Sequence, residues 1–229
     1  GERARLSTGS SARAWAHIVD PLTYITIAST GAFLLAFVAI ALVRRRFALA
    51  AAAVCVVSVA NVTTQLFKAY WPTQPHWWSN SLPSGHSTVA MSIATAALIV
   101  APVGARRWLL PFAGFGVTFV GAGTLVGHWH RPADVIAAFL LTTFLAAIAL
   151  GVVQRVQHGR HPRDTSYAAR PVLSLAGSIG VGLIFVALGV RPLDHDVSLV
   201  LAFVSLVSIA VTAALTLAWI SAAADDAVG

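Results

Sequence analysis

Pro83-Ser84-Gly85-His86 and His128-Trp129-His130-Arg131-Pro132-Ala133-Asp134 hold most of the residues that could do chemistry in this chain, and the chain's single lysine, Lys68, is expected on the same loop as the first of them. A cation, two histidines and a carboxylate suit phosphoryl transfer: the cation holds anionic oxygens, one imidazole moves a proton, and the other attacks. Ser84-Gly85-His86 opens an apolar run and is expected at a helix N-terminus. Free backbone N–H groups and the positive end of the helix dipole gather there and favour a phosphate. Gly85 lets a ligand approach the backbone, the Ser84 hydroxyl can donate to a phosphate oxygen, and His86 can protonate a leaving oxygen. An ordinary N-cap serine followed by a histidine at headgroup level is the plainer alternative.

His130 and Asp134 are four apart. On a helical turn they share a face, and the carboxylate can hold the imidazole's tautomer. Asp134 is the only acid between Asp20 and Asp164, and it opens an apolar run, where a carboxylate needs a partner. His130 as nucleophile oriented by Asp134 is the covalent-catalysis arrangement. A plain helix cap, Asp134, beside an interfacial histidine is the other reading. His128-x-His130 lacks a third ligand at matching spacing, so no metal site is expected. Asn61-Val62-Thr63 is a glycosylation sequon inside an apolar run and is discounted.

The elements that must position these residues are membrane helices. The chain has 229 residues, 58% hydrophobic and 10% charged, with mean hydropathy +0.80. That balance excludes a soluble domain and leaves an all-α polytopic transmembrane bundle. The net charge of +7 is not a nucleic-acid signal, because the arginines fall between apolar runs. Crossing a bilayer takes about 20 apolar residues. About seven spans are expected, at 21–43, 47–67, 86–102, 107–127, 133–153, 171–190 and 197–220, with Asp20 as N-cap and Pro21 as first residue of the first. Cys55 is expected as a packing residue, and the recurring glycines (Gly114, Gly121, Gly123, Gly127, Gly177 among them) as sites of close helix packing.

The connections 44–46, 103–107 and 154–170 hold nine arginines, and the alternate ones hold only Lys68, Arg131 and Arg191. The positive-inside rule then places the first set in the cytoplasm, and His86 and His130 at the periplasmic or extracellular face of a bacterial cell membrane. Trp71, Trp77, Trp78 and Trp129 fall on that outer side. Residues 1–20 read as an outer-face interfacial segment, 21–153 as the core, 154–170 as a cytoplasmic loop and 171–229 as an extra C-terminal helix pair. Arg3, Arg5 and Arg13 sit on the wrong side for this parity, and the chain opens without methionine. A helix upstream of residue 1 would reconcile both.

The set of motifs resembles the type 2 phosphatidic acid phosphatase family, the membrane branch of the acid phosphatase and vanadium haloperoxidase superfamily. Its pattern is Lys…Arg-Pro, then Pro-Ser-Gly-His, then Ser-Arg…His…Asp. Pro83 to His86 is intact, His130 and Asp134 keep the family spacing, and Lys68 and Pro75 stand for the first motif, over roughly residues 47–153. The resemblance implies that His130 forms a phosphohistidine, Asp134 orients it, and His86 protonates the leaving group. Lys68, Ser84 and the Gly85 N–H hold the phosphoryl oxygens, and no metal or other cofactor is required. Gln74 and Thr124 stand where the family has phosphate-binding arginines, which should weaken anion binding; Arg131, His128 and His76 are the candidates to compensate. The family core has six helices, with the first motif closing the third, whereas Lys68 closes the second run here.

The leading expectation is a lipid phosphatase for polyprenyl or glycerolipid phosphates or diphosphates at the outer leaflet. A non-catalytic lipid-phosphate binding or transport protein, favoured by the lost arginines, and a phosphotransferase are the rivals. The sequence does not give the oligomeric state.

Overall fold

The computed structural model describes residues 6–7, 12–70, 82–157, 169–187, 191–192 and 199–227. Within them the chain is helical: α1 (Ala12–Thr23), α2 (Ile27–Val43), α3 (Phe47–Tyr70), α4 (Gly85–Val100), α5 (Val103–Val126), α6 (Pro132–Val156), α7 (Ala169–Ala187) and α8 (Leu199–Asp226). The only other regular element among these residues is an antiparallel pair of two-residue strands, β1 (Leu6–Ser7) and β2 (Arg191–Pro192).

The helices follow from long Ala/Leu/Val-rich runs with defined stops. α2 starts at a capping box in which Thr26 and Ser29 satisfy each other's backbone N–H. α6 starts with Pro132 in its first turn, where a missing N–H costs nothing. The sequence expectation for the first run is corrected here. Asp20 and Pro21 are not a helix start but lie inside α1, whose axis meets that of α2 at a 62° bend. Pro21 keeps a helical φ, so α1 runs two residues past it, and the real cap is Thr26.

Seven spans is an overstatement. Among the described residues four helices are long and apolar enough to cross a membrane: α3, α5, α6 and the Val200–Asp226 part of α8. The bent pair α1–α2 makes a fifth if counted as one. α4 stops at 16 residues because Pro102 follows its C-cap Ala101. Several large apolar side chains on these helices face outward, such as Phe112 at 75% and Leu35 at 71% exposure. In water such a surface would drive aggregation, whereas against acyl chains it is at home. The protein is a multi-pass membrane protein.

α5 lies at the centre, touching α1, α4, α6, α7 and α8. Its small residues admit close neighbours. A Cβ added at Gly177 of α7 would overlap the Pro111 carbonyl, and one at Gly114 would overlap the Ser174 backbone. Gly123 seats Leu22 of α1. Gly116 and Gly182 have nothing within 4 Å, so close packing explains only part of the glycine set. Cys55 also departs from expectation. It is exposed, on an apolar crevice between α3 and α6.

The end of the bundle where α4 finishes is held by arginines. Arg106 donates to the carbonyls of Leu98 (2.8 Å) and Ile99 (3.2 Å), and Arg44 to that of Val100 (2.9 Å). These are the orphan carbonyls of the α4 C-terminus, where cations are favoured. Arg106 is 1% exposed and, with Arg170 of α7, pairs with Asp225 of α8. The sequence marks Arg106 only as a loop cation of the positive-inside count. In the fold it is a buried clamp joining α4 and α5 to α8.

Candidate active site

At the opposite end of the bundle, four segments meet. Lys68 lies in the last turn of α3, half-buried, and not on the loop that follows. Pro83 and Ser84 are buried ahead of α4. Ser84 is the N-cap, its Oγ accepting from the Ser87 N–H at 3.3 Å, so the ordinary capping role is realised. Gly85 and His86 form the first turn and are half-buried. A Cβ added at Gly85 would stand 3.3 Å from Lys68 Nζ. The lysine ammonium is therefore placed beside the free N–H groups of a helix start, and an anion there would meet both.

The second half comes from the turn between α5 and α6. The N–H of His128 bonds to Leu125 O (3.1 Å) and that of Trp129 to Thr124 O (3.0 Å). This is a Schellman closure of α5, with His128 at φ 59° in the left-handed position that usually takes glycine. The His130 N–H also reaches Thr124 O, at 3.3 Å. Thr124 itself is fully buried, its hydroxyl donating to Gly121 O at 2.8 Å. Both residues expected to bind substrate thus also shape the turn through their backbones, and the His128 side chain is exposed.

His130 and Asp134 come together as their spacing implies. His130 Nδ1 lies 3.5 Å from Asp134 Oδ2, with the side chains 9% and 2% exposed. Asp134 Oδ2 also accepts the Arg131 N–H at 2.9 Å, so the carboxylate caps α6 and faces the imidazole at once. The capping reading of Asp134 is thus realised, with the same oxygen standing beside the imidazole. With Nδ1 turned to the carboxylate, Nε2 is the nitrogen left for chemistry. The Asp134 carbonyl accepts the Ser84 N–H at 3.0 Å, which locks the α6 start to the α4 start.

Lys68 lies in the electrostatic field of Asp134, and His86 in that of both His130 and Lys68. The four residues separated by up to 66 positions in sequence therefore share one site. The His86 ring also stacks obliquely on Trp129, centroids 5.1 Å apart. Trp129, read in the sequence only as part of an aromatic belt, thus holds the face of His86, and its own ring covers Gly127 at 3.2 Å from where a Cβ would stand. Arg131 is half-buried at the α6 N-cap. Gln74, with Pro75, His76, Trp71, Trp77 and Trp78, lies outside the described residues.

A groove of about 830 Å³ opens beside the site between α2, α3 and α4. Lys68, Gly85 and His86 lie at one end of it, and its walls mix apolar side chains such as Leu34, Val57 and Leu66 with the polar Thr30, Asn61 and Gln65. A headgroup and a chain could occupy it together.

The family model for the PAP2 superfamily matches residues 62–158, a segment that contains Lys68, the whole of the α4 start and the His130–Asp134 pair. The match supports a type 2 phosphatidic acid phosphatase-like family for this chain. No curated protein and no solved structure matches the chain significantly.

Proposed function

We propose that this membrane protein, whose residues 62–158 carry the PAP2 superfamily match, hydrolyses a lipid phosphate or diphosphate at one membrane face through a phosphohistidine. The observation that carries the reading is the convergence of Lys68, Gly85, His86, His130 and Asp134 at one end of the bundle, beside a groove lined by both polar and apolar side chains. His130 Nε2 attacks phosphorus. The bond from phosphorus to the lipid oxygen, or in a diphosphate to the bridging oxygen, breaks, and His86 gives that oxygen a proton. A water then gives its proton to His86 and attacks the phosphohistidine, which releases phosphate and restores both imidazoles. Lys68, the Ser84 hydroxyl and the Gly85 N–H hold the phosphoryl oxygens as charge develops on them. Arg131 is assigned part of the role of the arginines replaced by Gln74 and Thr124, with His128 in reserve.

The site faces the periplasm or cell exterior in this reading, because the arginine-rich connections belong in the cytoplasm. Polyprenyl and glycerolipid phosphates are the substrate classes, and 171–229 is a C-terminal addition to a catalytic core at 21–153. The test is phosphate release from prenyl phosphate, prenyl diphosphate, phosphatidic acid and phosphatidylglycerol phosphate, with chelator present. Release that disappears in His130→Ala is expected. Equal release by that variant would overturn the nucleophile, and no release by folded wild type would favour the non-catalytic binding protein.

A further inference from the structure

Below the candidate phosphate cradle, hydroxyl groups join α3 to α4. Thr64 lies one turn before Lys68, and Thr88 one turn after Ser84. Both are buried, at 1% and 0% exposure. Their Oγ1 atoms are 3.0 Å apart, and Thr88 Oγ1 donates to Ser84 O at 2.8 Å. A hydroxyl has one hydrogen. Thr88 gives its own to Ser84, so Thr64 is the donor to Thr88, and the direction of the chain is fixed.

Thr88, Thr142 and Thr143 each bond back to the carbonyl four residues earlier on their own helix, as hydroxyls in helices commonly do. Thr64 departs from this pattern by turning to another helix. The path continues beyond it: the Ser84 N–H donates to Asp134 O at 3.0 Å, and Asp134 Oδ2 stands 3.5 Å from His130 Nδ1. A single buried path ties together α3, which carries Lys68, the start of α4, which carries His86, and the start of α6, whose Asp134 faces His130. Within it, the Thr64–Thr88 bond is the tie between α3 and α4 next to the α4 start, one turn nearer the site than a second tie, in which Asn61 Nδ2 donates to Ser92 Oγ at 3.2 Å.

We propose that Thr64 is a positioning residue, which acts through Thr88 to set Lys68 Nζ against the Gly85-His86 turn. The tolerance there is small, since a Cβ on Gly85 would already stand 3.3 Å from Nζ. A slip of about 1 Å at a reacting centre costs up to about a hundredfold in rate. The inference rests on the phosphate-site reading above, so the experiment separates the two.

Thr64→Val keeps the shape and removes the donor, while Thr64→Ser keeps the donor. Two readouts are taken on folded protein in detergent: kcat/KM for the lipid phosphate released fastest by wild type, and the rise in Tm caused by orthovanadate, an analogue of the phosphoryl transition state. Thr64→Val is expected to lower kcat/KM about tenfold and to at least halve the vanadate-induced rise, and Thr64→Ser to restore both. The change in Tm without vanadate reports the merely structural cost. Wild-type kcat/KM and vanadate response in Thr64→Val, or equal damage from Thr64→Ser, would overturn the proposal. If Thr64→Val does not accumulate, Thr88→Val breaks the same link from the α4 side and should give the same losses. A wild type that binds vanadate without releasing phosphate leaves the Tm rise to decide. A wild type that does neither removes the phosphate site, and this inference with it.

Discussion

Asp134→Asn should remove the charge behind His130 while leaving the start of α6 intact. The carboxylate Oδ2 lies 3.5 Å from His130 Nδ1 and accepts the Arg131 N–H at 2.9 Å. An asparagine can place its one carbonyl oxygen in that position and keep both contacts. What it loses is the attraction between a full negative charge and the ring that becomes cationic when Nε2 is phosphorylated. At 3.5 Å and an effective dielectric constant of about 20, that attraction is about 5 kcal/mol before desolvation is subtracted. Both side chains are at least nine-tenths buried, so salt screens the pair little. If desolvation offsets about half, roughly 2–3 kcal/mol of transition-state stabilisation remains, which corresponds to about a hundredfold in kcat. Asp134→Ala should lose at least as much rate and in addition the cap, worth about 1 kcal/mol of stability. The assay is phosphate release and thermal unfolding on the same preparations. Asn should lower kcat about a hundredfold with a near-wild-type Tm, and Ala should lower both. An Asp134→Asn protein with more than a tenth of wild-type kcat would refute the electrostatic role of the carboxylate.

Two further outcomes are expected. Gly85→Ala brings a methyl to 3.3 Å from Lys68 Nζ; the flexible lysine can yield by a few tenths of an ångström, so KM should rise several-fold, by roughly 1 kcal/mol of lost phosphate binding, with Tm unchanged. Asp225→Ala leaves Arg106 and Arg170 buried without their shared carboxylate and should cost about 3–5 kcal/mol, read as a fall in Tm or in folded yield, while any folded protein keeps the wild-type KM.

The residues proposed for the chemistry were legible in the sequence, because the types and spacings that phosphoryl transfer needs are local. Ser84 to His86 span three positions, and His130 and Asp134 differ by four. One turn of helix suffices to bring each set together. Helix positions were legible too, since a span must be an apolar run, though α4 and the α1–α2 bend show that run length alone overcounts spans. Gln74 lies outside the described residues, and Thr124 and His128 are seen mainly as backbone groups of the turn before His130.

By itself, then, the sequence determined that this is an all-helical membrane protein and placed its candidate phosphate-site residues at two helix starts. The physical reason is that hydropathy and residue spacing act over one helix or less. Only the tertiary structure decided what joins those helices. Arg106 reads as one more basic residue until Asp225, 119 positions away, is found beside it. Trp129 reads as a membrane-surface aromatic until His86 is found against its ring. Thr64 has no local signal at all, because a hydroxyl on an apolar helix gains meaning only from the neighbour it faces. Such pairings depend on the rotation and height of one helix against another, which many distant contacts fix together and no short stretch of sequence records.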